Sequence, residues 1–384
     1  MVAAVRTGEA ERAVARRSHV SLFKVQFWAK RADGQRLDRV DWRDRPSGPR
    51  EPLNRTSHDL EDLVLQVRRE LREESDLGEY GAVAIRAALD QRQLPDLPHV
   101  RTLHRILERR GALDGQRRPR RPAPPRGWYL PAVADGRAEL DQFDTVEGLV
   151  IRGGPEVEIL TAMSLHGGLS GAWPQAGITA KIVRESLLAH WREFSLPDYA
   201  QFDNDTVFQG PHQHPDAIGS VIRLCLSLGV VPVFAPPRET GFQAAIESFN
   251  GRWQAKVWAR FQHASLADLQ VRSAKYMAAH RQRTVSRREG APERRPFPAD
   301  WRLNLQALPR GQIIFLRRTS EHGAVTLLGR TFEVETTWPH RLLRCEVDLD
   351  ESMIRFYALR RRAPDEQPLL HRTPYTLPPR RFRE

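Results

Sequence analysis

Three acidic residues, Asp144, Asp203 and Glu247, have the types and the order of a metal-dependent phosphoryl-transfer centre. Fifty-eight residues separate the first two and 43 the last two, so only folding can bring them together. Converging carboxylates repel one another and raise each other's pKa, a cost that a divalent cation removes. Hard oxygen donors suit magnesium, and a pair of such ions serves an in-line phosphoryl displacement: one activates a water or a 3′-hydroxyl, the other steadies the leaving oxygen. Most Asp and Glu residues are solvated surface groups, so the weight of the assignment falls on the sequence around each acid.

The elements that must carry them can be read from periodicity. Residues 139–150 are apolar and β-prone, Ile151-Arg152-Gly153-Gly154-Pro155 is a hairpin turn, 157–163 is a second strand and 169–173 a third. A helix over 179–194 places Ile182, Val183, Leu187, Leu188 and Trp191 on one face. A strand at 198–202, a helix at 215–228, a strand at 230–234, a loop at 235–243 and a long helix at 244–261 complete the segment. This order predicts a mixed sheet covered by helices. Asp144 then lies within the first strand, Asp203 at the end of the fourth and Glu247 at the start of the last helix. If the first and fourth strands are neighbours, the aspartates meet at one edge and the helix delivers the glutamate.

The motifs around the acids resemble those of the DDE transposases and retroviral-type integrases. Glu139-Leu140-Asp141-Gln142-Phe143-Asp144-Thr145 is similar to the family's Trp-Gln-x-Asp-x-Thr strand, and Phe202-Asp203-Asn204-Asp205-Thr206-Val207-Phe208 to its Asp-Asn-Gly-x-x-Phe element. Pro236-Pro237-Arg238 followed by Ala245-Ile246-Glu247-Ser248-Phe249-Asn250 resembles its proline-rich approach and Val-Glu-x-x-Asn helix. Asp141 stands where the family has tryptophan, with its side chain on the opposite face from Asp144 by odd spacing. Asp205 stands where a glycine is usual and competes with Asp203 for the second position. Ala244-Ala245 replace a common Asn-Gly.

The resemblance implies a multidomain α/β chain: an N-terminal helix-turn-helix region, an RNase H-like mixed α/β catalytic core and a small C-terminal SH3-like β-barrel. The implied layout is a partial helix-turn-helix remnant and loop at 1–55, whose natural start lies upstream of Met1, a helix-turn-helix domain at 56–115 and a basic linker at 116–137. The core follows at 138–264, a basic helical connector at 265–308, the barrel at 309–360 and a basic tail at 361–384. The barrel strands are expected at 313–317, 325–328, 332–335, 342–347 and 353–357. The implied activity is DNA nicking and 3′-hydroxyl strand transfer at the ends of an insertion sequence, with no covalent protein intermediate. Two Mg²⁺ (or Mn²⁺) ions would be held by Asp144, Asp203 and Glu247. The partners would be double-stranded DNA, as terminal inverted repeats and as target, and further copies of the chain, since two ends must be joined. Two other readings stay open: a helix-turn-helix regulator carrying a domesticated RNase H-like domain, and an RNase H-like nuclease without transfer activity.

Upstream of the core, apolar positions at 22, 25, 27 and 28 predict a short helix over 21–31. Leu60, Leu63, Val64, Val67 and Leu71 predict another beginning at 56, with Thr56 and Asp59 placed like a capping box. Helices at 82–91 and 99–110 follow, the second ending at Gly111. Arg101, Arg105, Arg109 and Arg110 on that second helix suit a major-groove reader, and equally a solvated face. Residues 116–126 are extended, proline-stiffened and basic, and Arg117, Arg118, Arg120 and Arg121 could track phosphates. Arg252 and Lys256 share a helix face near Glu247 and could do likewise. His212 and His214, with Asp216, have zinc-compatible spacing, but they sit in a Gly/Pro loop where the histidines read as solvated, while Trp253 and Trp258 read as packing residues.

Composition frames these assignments. At roughly 150 residues per domain, 384 residues make two or three domains, and 40% hydrophobic residues suffice for their cores. No run approaches the roughly 18 apolar residues of a membrane span. Two cysteines, Cys225 and Cys345, cannot build a disulfide framework and suit burial in a reducing cytoplasm, and the resemblance implies a bacterial protein associated with the nucleoid. The net charge of +12 points to a polyanionic partner. Only five of the 60 basic residues are lysines, an arginine bias that weakens arguments from arginine alone. Residues 101–126 carry +7 and residues 355–384 carry +5, whereas residues 138–264 hold fourteen acids and nine bases. The basic arms would grip DNA and the acidic centre would bind the metals.

Overall fold

Short apolar runs, too brief to hold helices alone, are paired with one another at the start of the chain. The computed structural model describes residues 1–44, 56–113, 126–211, 214–379 and 382, and divides the chain into units of residues 1–62 and 63–384. In the first unit, α1 (Val2–Arg6), α2 (Glu11–Arg17) and α3 (Leu22–Ala32) bury Val14, Ala15 and Val25 in one cluster and Val2, Trp28, Ala32 and Val40 in another. The expected helix at 21–31 is therefore α3, capped by Ser21, and two helices precede it where a mere remnant was expected.

The helix α4 (His58–Glu74) is capped by Ser57, whose hydroxyl accepts from Leu60 N at 3.3 Å, one residue later than the expected Thr56. The helices α5 (Ala82–Gln91) and α6 (Val100–Arg109) bury Ile85, Leu89, Leu103, Ile106 and Leu107. Gly111 at φ +65° closes α6 as expected. The connection between α5 and α6 spans eight residues, longer than the three- or four-residue turn that defines a helix-turn-helix. After α7 (Pro131–Ala134) come β1 (Leu140–Val150), β2 (Glu156–Ser164) and β3 (Ser170–Gln175), an antiparallel meander. Then follow α8 (Ala180–Phe194), β4 (Tyr199–Phe202), α9 (Thr206–Gln209), α10 (Ser220–Ser227), β5 (Val231–Phe234) and α11 (Ala244–Trp253), which runs into a π-helical turn at Gln254–Trp258.

The protein is mixed α/β, built on a large mixed sheet in which β1 pairs parallel with β4 and β4 with β5. Alternation gives that sheet two unlike faces. On one, Phe143, Phe202, Phe234 and Phe315 follow one another across neighbouring strands at 5.5, 6.0 and 5.2 Å between ring centres, under Val183, Leu187 and Trp191 of α8. On the other, Gln142 and Gln201 lie beneath the start of α11.

Two expectations about the C-terminal half need correction. The helix expected as a connector, α12 (Leu266–Arg283), instead packs on the sheet through Leu269, Tyr276 and Met277, and Trp253 Nε1 donates to Ser273 Oγ at 3.1 Å. The strands β6 (Gln312–Arg318), β7 (Ala324–Leu327), β8 (Arg330–Glu333), β9 (Leu342–Asp348) and β10 (Met353–Ala358) all form where barrel strands were expected. They do not close a separate barrel. β6 pairs parallel with β5, then β9, β10 and a further strand, β11 (Leu369–Pro374), extend the sheet to nine strands, while β7 and β8 form a hairpin of their own. The reason lies in Ile313-Ile314-Phe315-Leu316: all four are buried, so β6 has apolar cover on both faces, as a central strand requires. β11 also gives structure to part of the expected tail. Cys225 and Cys345 are buried and unpaired. Among the described residues no helix is long and apolar enough to cross a membrane.

Candidate active site

The tripeptide Gln-Phe-Asp occurs twice, at 142–144 in β1 and at 201–203 at the end of β4, and the parallel register sets Gln142 beside Gln201. The first two residues of one copy meet their counterparts. Gln142 Nε2 donates to Gln201 Oε1 at 2.7 Å, and the Phe143 and Phe202 rings stack at 5.5 Å on the other face. Asp144 and Asp203 fall two residues beyond the glutamines, Asp144 within β1 just past its parallel pairing with β4 and Asp203 just past the end of β4, the side of a parallel pair on which α/β sheets bind ligands.

The same glutamines place α11. Gln142 Oε1 accepts from Ile246 N at 3.2 Å and its Nε2 donates to Phe242 O at 3.1 Å, while Tyr129 Oη, fully buried, donates within reach of Gln201 Oε1 at 2.7 Å and Phe242 O at 2.9 Å. Glu247 follows Ile246 directly, so this buried network fixes where its helix begins. One turn later, Asn250 Nδ2 donates to Asp144 Oδ2 at 2.8 Å, and its Oδ1 is buried with no hydrogen-bond partner among the described residues.

Asp144 is mostly buried. Burial, the charge of Asp203 and the charge of Glu247 push its carboxyl up to about 7, against the opposing hydrogen bonds from Thr145 N and Asn250. Asp203 is also raised, by burial first and by the charge of Asp205, against a hydrogen bond from Asp205 N at 3.0 Å. Asp144 thus lies close enough to Asp203 and to Glu247 to feel the charge of each. Among the described residues, however, no three His, Cys, Asp or Glu side chains are gathered closely enough to hold a metal ion. The donor set nevertheless fits a hard divalent cation: carboxylate oxygens with an orphaned amide oxygen beside them, and a like-charge repulsion that a cation would relieve.

Two competing acids have other partners. Asp141 lies wholly buried on the opposite face, bridged by Arg294 at 2.8 and 2.7 Å and by Trp191 Nε1 at 3.1 Å. Asp205 caps α9, its Oδ1 accepting from Val207 N at 2.9 Å. Asp216 is bound by both ends of Arg330 and by Tyr375 Oη, and His214 is exposed, whereas His212 lies outside the described residues. Trp253 is fully buried, as expected of a packing residue.

The basic residues divide similarly. Arg101, Arg105, Arg109 and Arg110 are all exposed on and just after α6. Arg117, Arg118, Arg120 and Arg121 lie outside the described residues. Arg252 is exposed on α11, but Lys256 does not share its surroundings: its ammonium donates to Gly78 O at 2.9 Å and lies 5.6 Å over the Tyr80 ring, tying the link before α5 to the core. The π-helical turn accounts for this, since it rotates residues beyond Trp253 away from the α-helical face that spacing alone would give. Sequence reading passed over Gln142, Gln201, Tyr129 and the link from Asn250 to Asp144; the doubled tripeptide and the three-residue step from Glu247 to Asn250 were the available signals.

Among solved structures, the chain is similar to the catalytic core domain of BIV integrase, at 17% identity over 36% of this chain and 81% of that one, with a TM-score of 0.28. It is also similar to the simian T-cell lymphotropic virus intasome in complex with PP2A regulatory subunit B56 gamma, at 14% identity over 68% of this chain and 84% of that one, with a TM-score of 0.34. At these scores the likeness assigns no role to any residue. No family model matches the chain, and no curated protein matches it.

Proposed function

We propose that the chain is a divalent-metal-dependent DNA nuclease and strand transferase, a DDE transposase or integrase acting at the ends of an insertion sequence. The observation that supports this reading is the doubled Gln-Phe-Asp, whose paired glutamines join the strands that lead into Asp144 and Asp203 and, through Gln142, anchor the helix that bears Glu247. Asp144, Asp203 and Glu247 would hold Mg²⁺ or Mn²⁺, two ions, which supply activation of a water or 3′-hydroxyl and stabilisation of the leaving oxygen. Asn250 orients the Asp144 carboxylate by its hydrogen bond, and the Asp205 amide does the same for Asp203. The exposed arginines of α6 and the basic segment after it would contact phosphates of terminal repeats and target DNA, and joining two ends calls for at least a dimer on the bacterial nucleoid. The RNase H-like description of the core belongs to this proposal, supported by the β3-β2-β1-β4-β5 strand order.

The test is magnesium-dependent nicking and joining of a labelled duplex carrying the sequence that flanks the gene. Asp144→Asn, Asp203→Asn and Glu247→Gln are each expected to reduce both products by at least about a thousandfold while duplex binding persists. Joined product from the Glu247→Gln chain would overturn the assignment. Nicking without any joined product would favour the nuclease reading instead.

A further inference from the structure

A cavity of about 330 Å³ lies against α11, walled by Ala244, Ala245, Ser248 and Arg252 of that helix together with the end of β2 and the segment before α7. Three guanidinium groups line it, each from a different part of the chain: Arg126 before α7, Arg252 on the last turn of α11, and Arg287 in the turn after α12. The only hydrogen bonds that the three make among the described residues are from Arg287 to Leu165 O at 2.7 Å and from Arg252 Nε to Ser248 O at 3.2 Å. None forms an ion pair with a described carboxylate. The opposite charge that acts on Arg287 is the buried Glu139, whose oxygens already accept from the amides of His166 and Gly167 at 2.9 and 2.8 Å.

Gathering like charges is unfavourable unless something repays it. The strain is visible: burial, then the charge of Arg126, depresses the Arg287 guanidinium, with Arg252 adding to it, and burial with the charges of Arg252 and Arg287 holds the nearby buried His280 down to about 4. The chain is also built to keep Arg126 here. Gly127 sits at φ +61°, and a Cβ on it would meet Val133 Cγ1 at 2.5 Å, so no other residue lets the segment pass so closely. The first turn of α11 has no side-chain cap, so the amides of Ala244 and Ala245 add a second source of positive potential. Planar guanidinium forks suit a phosphate, whose oxygens accept paired hydrogen bonds.

We infer that this pocket binds a phosphate group, and that the phosphate belongs to the backbone of the DNA strand whose neighbouring bond lies at Asp144. The inference rests on the function proposed above. Gln142 also lines the pocket and lies two residues before Asp144 on the same strand face, about 7 Å away along β1. An acidic centre that repels the backbone is thus flanked by a basic socket that holds it.

The experiment is equilibrium binding of a labelled duplex to the full chain over a series of salt concentrations, without divalent cation. Arg126→Gln combined with Arg252→Gln is expected to lower the slope of log affinity against log salt by about one, with affinity at low salt falling several-fold. Lysine at both positions should restore the slope. Arg287 is left in place because its bond to Leu165 supports the fold, and thermal melting verifies that the double variant is folded. A folded double variant with wild-type slope and affinity would overturn the inference. If inorganic phosphate raises the melting temperature of the wild type and not of the double variant while the DNA slope is unchanged, the pocket takes free phosphate and the DNA assignment is overturned. Failure of the proposed chemistry would show separately, as nicking that survives Glu247→Gln, because the salt series needs no catalysis.

Discussion

β1 carries two aspartates three residues apart, and the two faces of the sheet treat them in opposite ways. Asp141 is wholly buried, but the charge and paired hydrogen bonds of Arg294 outweigh that burial and hold its carboxyl below the usual range. The neighbouring His190, 3.8 Å away, is driven down to about 4 by burial and contributes no standing charge, so Arg294 alone balances the acid. Asp144 is less buried and forms no ion pair among the described residues, and burial together with the charges of Asp203 and Glu247 pushes it up to about 7. A folded chain gains nothing in stability from the second arrangement. The difference separates an acid that holds structure together from one kept in an unfavourable setting, which is where chemistry is expected.

The largest effect that could break this contrast is on the structural side. Arg294→Met leaves Asp141 buried without its counter-charge and is expected to cost about 3–5 kcal/mol in denaturant unfolding. Replacing Asp141 and Arg294 together by apolar residues should recover much of that loss. A single Arg294→Met chain as stable as the wild type would mean that Asp141 is no more paired than Asp144.

Next in size is a pH effect on the other face. The folded chain keeps the Asp144 proton up to about pH 7, whereas the unfolded chain releases it near pH 3.9. Across that window the unfolded chain binds fewer protons, so this residue makes stability fall as pH rises. Asp144→Asn removes the term while keeping an oxygen for Asn250. The variant should match the wild type at pH 4 and exceed it at pH 8 by at most about 4 kcal/mol. Parallel unfolding curves at the two pH values would remove the electrostatic contrast with Asp141.

Much of this was legible in the sequence, for identifiable reasons. The meander and the alternating elements after it follow from short β-prone runs bounded by turn residues and from the helical spacing of apolar positions between them, whereas the adjacency of the first and fourth strands was a condition that the parallel pairing of β1 with β4 meets. The acids were legible because their neighbours carry family-like motifs. The C-terminal half was misread at the level of pairing: the run Ile313 to Leu316 has no polar face, and that pattern marks a strand inside a large sheet, not a wall of a small barrel. α1 and α2 were missed because helices of five and seven residues have almost no pattern of their own and depend on mutual packing. Lys256 was misplaced because an α-helical period was carried through a π-helical turn. The long-range hydrogen bonds of Tyr129 have no local signature, although the repeated Gln-Phe-Asp pointed to the pairing of the strands that carry it and the step from Glu247 to Asn250 to a second polar side chain near the acids.

The smallest effect resolves which acid accompanies Asp144. Asp203 and Asp205 are two residues apart, and spacing alone leaves either available as the second ligand. Asp205 already has a local task, since its carboxylate caps α9 and accepts from Val207 N, and a lost cap costs about 1 kcal/mol. Asparagine caps nearly as well as aspartate but carries no charge, so the two functions can be separated at one position. Asp205→Ala should lose about 1 kcal/mol, while Asp205→Asn should lose almost none. The asparagine variant also removes a charge that raises the Asp203 carboxyl, so Asp203 should titrate lower in it. If Asp203 is the ligand, nicking by Asp205→Asn stays within a few-fold of the wild type, whereas Asp203→Asn abolishes it. The reverse pattern would move the second ligand to Asp205 and make Asp203 the structural acid, returning to this strand end the same division seen between Asp141 and Asp144, with the roles exchanged.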